Sequence, residues 1–243
     1  MKKTRRRITL ITNLILVTAF TVVFAVSFFP QQALPIYGGT DLSAIYSGAR
    51  GTNKVSFMFN VYENAETVEK IADLLTERGA KATFFVGGCW ADDNGKTLKY
   101  LIEQGYEIAN HGYFHKDHST LNYEKNKEEI YLTGVIVNAL CGAKLNLFAP
   151  PSGSFSDTTL QAAADLDYQV VMWSKDTIDW RDSDKAKIVS RATKNLTGGD
   201  LILMHPKSHT LAALPEIIDY CFSHGFDIVS VSENISSKIT QNI

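Results

Sequence analysis

Residues 55–79, VSFMFNVYENAETVEKIADLLTERG, hold the pattern from which the fold can be read. Val55 to Phe59 form a short, nearly unbroken apolar run, the pattern of a strand covered on both faces. From Ala65 the pattern changes to apolar residues three and four apart, Val68, Ile71, Ala72 and Leu75, which marks one face of a helix. Asn64 stands where a helix cap belongs and Gly79 where the helix must stop. A second run, KATFFVG, follows at once, so the unit is strand, helix, strand.

Outward from this unit the same alternation continues. The strand candidates YEIANHG, LNLFAPP, QVVMWS, DLILMH and FDIVSVSE are separated by helical stretches that begin at Gly95, Asn122, Ser156, Asp184 and Thr210. Seven strands alternating with six helices imply parallel strands with helices outside, as an open doubly wound sheet or a closed barrel. Asn60, His111, Asp176 and His205 all fall at or just past the C-terminal end of a strand. In a βα barrel that end carries the chemistry.

The first 53 residues are of another kind. MKKTRRR places five cations in seven residues, and Ile8 to Phe29 follow without a charge, long enough to cross a bilayer. No A-x-A site precedes Pro30, so residues 1–7 read as a basic cytoplasmic end and 8–29 as an uncleaved transmembrane signal-anchor; the alternative is a cleaved secretory signal. Residues 30–53, rich in Gly, Pro, Ser and Thr, read as a linker. On either reading the remainder faces the outside of the membrane.

Setting aside the five N-terminal cations leaves 19 basic residues against 26 acidic ones, a net charge of −7 that argues against nucleic acid as a partner. Cys89, Cys141 and Cys221 are odd in number and far apart, with no C-x-x-C pair, so a zinc-thiolate site is not expected. There is also no G-x-S-x-G elbow, P-loop or G-x-G-x-x-G.

Three stretches carry side chains suited to chemistry. NHGYFHKDH sets His111 and His115 four apart, a spacing that a helical turn would convert into a metal-ligand pair; His118 reads as solvent-facing and as a spare ligand. DLILMHP delivers His205 at a strand end, where an imidazole serves as general acid or base. WSKDTIDW supplies Asp176, a carboxylate suited to orienting His205, and Asp179, which reads as a cap for the next helix.

In order and content these pieces resemble the polysaccharide deacetylase family, the fourth family of carbohydrate esterases, over roughly Lys54 to Glu233. The resemblance implies a distorted parallel (β/α) barrel of about seven strands, a domain over 54–235 and a short tail, 236–243. The family's first motif, T-F-D-D-G, lines up with Phe59-Asn60-Val61-Tyr62, so Asn60 stands at the catalytic-base position and Val61 at a metal-ligand position. H-[ST]-x-x-H matches His111 and His115 with Gly112 at its second place; R-x-P-Y-G falls on Ala149 to Gly153, putting Ala149 where the base's arginine partner belongs. The aspartate-tryptophan motif matches Asp176 to Trp180, and L-x-H matches Leu203-Met204-His205. By the same resemblance Pro150, Pro151 and Trp180 belong to the substrate groove, and a divalent metal, zinc above all, is bound by His111 and His115, weakly for want of a third ligand.

The acid half, His205 with Asp176, and the metal histidines are retained, whereas the base half is missing. An amide such as Asn60 accepts no proton near neutral pH, and Val61 has no donor atom. Two functions follow as expectations: an extracytoplasmic hydrolase of N-acetyl groups on cell-wall amino sugars, peptidoglycan or a chitin-like oligomer, with reduced activity; or a membrane-tethered protein that binds such a glycan without cleaving it. The anchor reading predicts that the mature protein keeps its first residues and fractionates with membranes. N-terminal sequencing that starts between Ala25 and Ala33 would show a cleaved signal instead.

Overall fold

The computed structural model of the chain describes residues 42–240, with side chains to residue 236. The basic end, the apolar run 8–29 and the lead-in to residue 41 lie outside the described residues, and with them the transmembrane expectation. Among the described residues no helix is long and apolar enough to cross a membrane.

Strand β1 (Lys54–Val61) is buried from its second residue to its last. It is followed by α1 (Ala65–Glu77), β2 (Thr83–Val86), α2 (Gly88–Asp93), α3 (Gly95–Glu103), β3 (Glu107–Asn110), α4 (Tyr123–Cys141), β4 (Leu147–Phe148), α5 (Asp157–Ala164) and β5 (Gln169–Val170). The chain then adds β6 (Lys175–Asp176), α6 (Lys185–Thr193), β7 (Leu201–Met204), α7 (Ser208–Ser223), β8 (Asp227–Ile228) and α8 (Val231–Thr240). The strands run parallel in the order β5-β4-β3-β2-β1-β7-β6, and β8 pairs with the start of β1. Because β5 and β6 are neighbours in the chain but lie at opposite ends of this order, the sheet curls towards itself as a half-barrel.

Two cores result from the alternation of side chains along β1. Val55, Phe57, Phe59 and Val61 pack on the helix side, where α1 contributes Val68, Ile71, Ala72 and Leu75 and α7 contributes Leu214, Ile217 and Ile218. Burial of a Val, Leu or Ile side chain in this layer is worth about 1.5–3 kcal/mol. Met58, on the opposite face, joins Phe85, Ala109, Leu147, Ala149, Val171 and Leu201 inside the curl.

Four elements differ from the sequence expectation. QVVMWS is not one strand: β5 ends at Val170, Val171 bridges to Ile45, and pairing resumes only at β6. FDIVSVSE yields a two-residue strand and then a helix that enters the expected tail, because Ser230 caps it, its Oγ accepting from the Glu233 amide at 3.3 Å. GCWADD forms the short helix α2. Asn64 holds the cap position of α1 with a left-handed backbone, φ 55°, and its side chain makes no cap bond.

The segment before β1, read from sequence as linker, is built into the fold from Leu42 onward. The Ile45 amide donates to the Val170 carbonyl and the Met172 amide to the Ile45 carbonyl, each at 2.8 Å, so this segment lines the gap between β5 and β6. Arg50 closes on Asp200 at 2.8 Å, and the Gly48 amide donates to the Gly199 carbonyl at 2.8 Å. A side chain at Gly198 would place its Cβ 1.5 Å from the Thr52 carbonyl oxygen. Gly198→Ala is therefore expected to destabilise the domain by at least about 2 kcal/mol, since backbone on both sides must give way. Denaturant unfolding of the purified protein measures it, and an unchanged midpoint would show that the segment before β1 is not docked as described.

Candidate active site

The cleft opens where β1, β3 and β7 end, and strand alternation decides what faces it. On β1 the residues that share Met58's face are Ser56 and Asn60, and Tyr62 continues the series; on β7 they are Leu201 and Leu203, and His205 follows. Asn60, Tyr62, Leu203 and His205 accordingly line a cleft of about 270 Å3, with His111, His115, Ser152, Trp173, Asp176 and Trp180 completing it.

His111 is buried, and its Nδ1 lies 2.8 Å from the Ala149 carbonyl oxygen. A carbonyl only accepts, so Nδ1 carries the proton and Nε2 keeps its lone pair. Burial, reinforced by the nearby His115, pushes the His111 pKa down to about 3, and burial lowers His115 as well, so both rings are neutral at pH 7. Their centres are 5.2 Å apart. A tetrahedral ion with bonds of about 2.0–2.1 Å, and a ring centre roughly 1.1 Å beyond each nitrogen, would need about 5 Å, so the spacing suits a shared metal. A loop, not a helical turn, brings them together: Gly112 at φ 74° and His115 at φ 54° reverse the chain between the two rings.

Among the described residues no third donor joins this pair. Val61 is fully buried in the helix-side core and does not line the cleft, and among the described residues no group of three or more His, Cys, Asp or Glu could hold a metal. His118 is neither solvent-facing nor a spare ligand. It is buried behind the loop with its ring 5.0 Å from that of Phe148, and Nδ1 is 2.7 Å from Oδ1 of Asn126, whose amide group donates to the carbonyls of His118, Leu121 and Asn122.

His205 is held by Asp179 and not by Asp176. Its Nδ1 lies 2.7 Å from Asp179 Oδ1, its amide donates to Oδ2 at 2.7 Å, and Thr210 Oγ1 donates to the same oxygen at 2.6 Å. Burial works to raise the Asp179 pKa, but the bonds from His205 and Thr210 outweigh it and leave the carboxyl below its ordinary range. With Nδ1 committed to a carboxylate, His205 presents Nε2 to the cleft. Asp176 also lines the cleft, where its Oδ1 accepts from the Ile178 amide at 2.7 Å and shapes the turn that delivers Asp179. Both carboxylates lie three residues apart in DTID, and sequence spacing alone does not say which one reaches β7.

The remaining positions are set as follows. Asn60 is 2% exposed, and its Oδ1 has no hydrogen-bond partner among the described residues. Ala149 is buried, and among the described residues no arginine or lysine lines the cleft. Pro150 and Pro151 lie outside the lining and act as a rigid turn that presents Ser152, at φ 56°, in their place. Trp180 stands at the rim, 52% exposed, with the Arg181 guanidinium 5.3 Å from its ring centre. Asp179, Ser152, Tyr62 and Trp173 are site residues that sequence reading passed over.

The buried imidazoles make the metal-free protein sensitive to acid. A histidine whose folded pKa lies below its ordinary 6.5 withholds a proton that the unfolded chain binds, so its contribution is complete above pH 6.5 and is lost as pH falls towards 3. Asp179, depressed below 3.8, loses its contribution only at still lower pH. Stability should therefore decline already between pH 6.5 and 4, and His111→Phe should flatten that limb. A wild-type melting temperature that is constant over this window would contradict a buried, neutral His111.

Residues 47–171 match the family model for polysaccharide deacetylase. The uncharacterized protein YlxY of Bacillus subtilis is 34% identical over 189 residues, 78% of this chain and 59% of the relative, so this chain spans less than two thirds of that protein. A peptidoglycan-N-acetylglucosamine deacetylase of Bacillus cereus is 33% identical over 70% of this chain and 82% of the relative. Among solved structures, a CE4 family pseudoenzyme from Bacillus anthracis superposes with a TM-score of 0.78 at 30% identity, covering 80% of this chain and 69% of that one. A mutant of the same pseudoenzyme with restored enzymatic activity superposes equally well, at 29% identity over 80% of this chain and 72% of that one. With the curled parallel sheet, the paired histidines and the strand-end His205 in place, these matches identify the chain as a member of the polysaccharide deacetylase family.

Proposed function

We propose that this protein is an extracytoplasmic, membrane-anchored deacetylase-like protein that removes N-acetyl groups from cell-wall amino sugars at a reduced rate. The observation that carries the reading is the His205–Asp179 pair, oriented by three hydrogen bonds with Nε2 of His205 towards the cleft that also holds His111 and His115. A scaffold that only gripped sugar would have no use for an oriented proton donor opposite two neutral imidazoles. The relatives named for peptidoglycan-N-acetylglucosamine and peptidoglycan-N-acetylmuramic acid supply the substrate class.

His111 and His115 would hold a divalent ion, zinc above all, which when bound polarises the acetamide carbonyl and acidifies water. The protein's own part is to bring the proton. His205, its Nδ1 fixed by Asp179, hands a proton from Nε2 to the departing amine. Asn60 holds the place from which a carboxylate would take the proton of water, and its amide cannot do so. Trp180 and Trp173 offer apolar faces for the sugar rings.

Asn60 and Ala149 favour the second reading, a glycan-binding protein without turnover. The two changes belong together, because an arginine left beside a neutral amide in this closed interior would be a buried unpaired cation, at a cost of about 3–5 kcal/mol. Loss of base and partner as a pair keeps the site folded.

Activity is therefore expected to rise above its reduced level only when the pair is restored. Asn60→Asp and Ala149→Arg should each do little alone, and the double variant should release acetate from an N-acetylated oligomer faster than wild type by about 10²–10⁴-fold, far above the product of the single effects. Wild type as fast as the double variant would mean that another residue activates water. Both silent, with wild type still binding the oligomer, would establish the binding protein.

A further inference from the structure

The first motif of the family ends in glycine, and this chain has Tyr62 there. Tyr62 lies on the cleft side of β1's continuation, and its ring centre is 4.3 Å from that of His115 and 6.5 Å from that of His111. The three rings thus form one cluster, with Tyr62 in van der Waals contact with His115 at a tilt of 46°. The segment is braced from the other wall: Glu63 is ion-paired to Lys207, two residues beyond His205. Tyr62 is 39% exposed, so the residue packs on His115 and still meets solvent.

We propose that Tyr62 is a cover over the His111–His115 pair, a positioning residue that restricts the access of a divalent ion to the two nitrogens. The proposal rests on reading the pair as a metal site. An ion held by two imidazoles must fill its remaining positions with water or substrate, and those positions need open space beside the rings. On this proposal the phenol ring packed on His115 stands in that space, where the glycine of the family pattern would bring no side chain. Loss of the third ligand and gain of the cover act in the same direction, so metal occupancy in this chain is limited by steric access as well as by the number of donors.

The test is a titration of the metal-stripped full chain with zinc, followed by calorimetry, and with cobalt(II), followed by its visible absorption. Tyr62→Ala should bind either ion about tenfold more tightly than wild type or better, the lower end of the range by which groups surrounding metal ligands shift affinity. Tyr62→Phe keeps the ring and should bind as wild type does. His111→Ala in the Tyr62→Ala background should abolish the gain. Equal affinity in wild type and Tyr62→Ala, with loss on His111→Ala, would overturn the cover and leave the metal pair standing. Weaker binding by Tyr62→Phe would also overturn it, since the hydroxyl would then be a ligand. Failure of wild type, Tyr62→Ala and Tyr62→Phe alike to take up either ion would overturn the metal-pair reading and the cover with it. Thermal melts of each variant confirm that the titrated chains are folded.

Discussion

Strand β1 is the constraint on which the rest depends. It pairs in parallel with β2 on one side and β7 on the other, and β8 seals its beginning. Because it is covered on both faces, every side chain must suit one of two environments, the helix-side layer or the inside of the curl. Asn60 is the one polar side chain near its end that points inward, and the backbone that places it also sends Val61 outward into the apolar layer. A single dyad thus decides that the end of the strand contributes an amide to the cleft and a hydrocarbon to the core.

The consequence for electrostatics is a cleft with few fixed charges. His111 and His115 are held neutral by burial, Asn60 and Ala149 carry no charge, and Asp179 spends its carboxylate on His205 and Thr210. Asp176 is the carboxylate left facing the cleft, with one oxygen engaged by the Ile178 amide. A divalent ion would meet two lone pairs and no adjacent counter-charge from Val61, and Tyr62 beside them.

The gap between β5 and β6 shows how this scaffold tolerates short strands. Two-residue strands at the sheet's edges bury little backbone, and the segment before β1 makes up the difference through Ile45, Gly48 and Arg50. Composition did not reveal this, because Gly, Ser and Thr suit a linker and a tightly docked extended segment equally well. The backbone hydrogen bonds that distinguish them are made to residues more than 120 positions away.

Period and order in the chain by themselves determined the parallel α/β architecture, since apolar runs of strand length alternating with amphipathic helices have no other way to bury both kinds of face. They also determined that His111 and His205 stand just past strand ends, whereas the assignment of Asn60 and Ala149 to the positions of base and arginine is what the motif resemblance implies. Tertiary structure alone decided which carboxylate serves His205, because the choice between Asp176 and Asp179 turns on a left-handed Ile178 that a linear pattern does not encode. It decided that His118 is buried behind the loop, that Val61 faces the helices and that Tyr62 lies on His115. Local spacing records what a residue can be, whereas which neighbour it meets depends on how distant strands come into register.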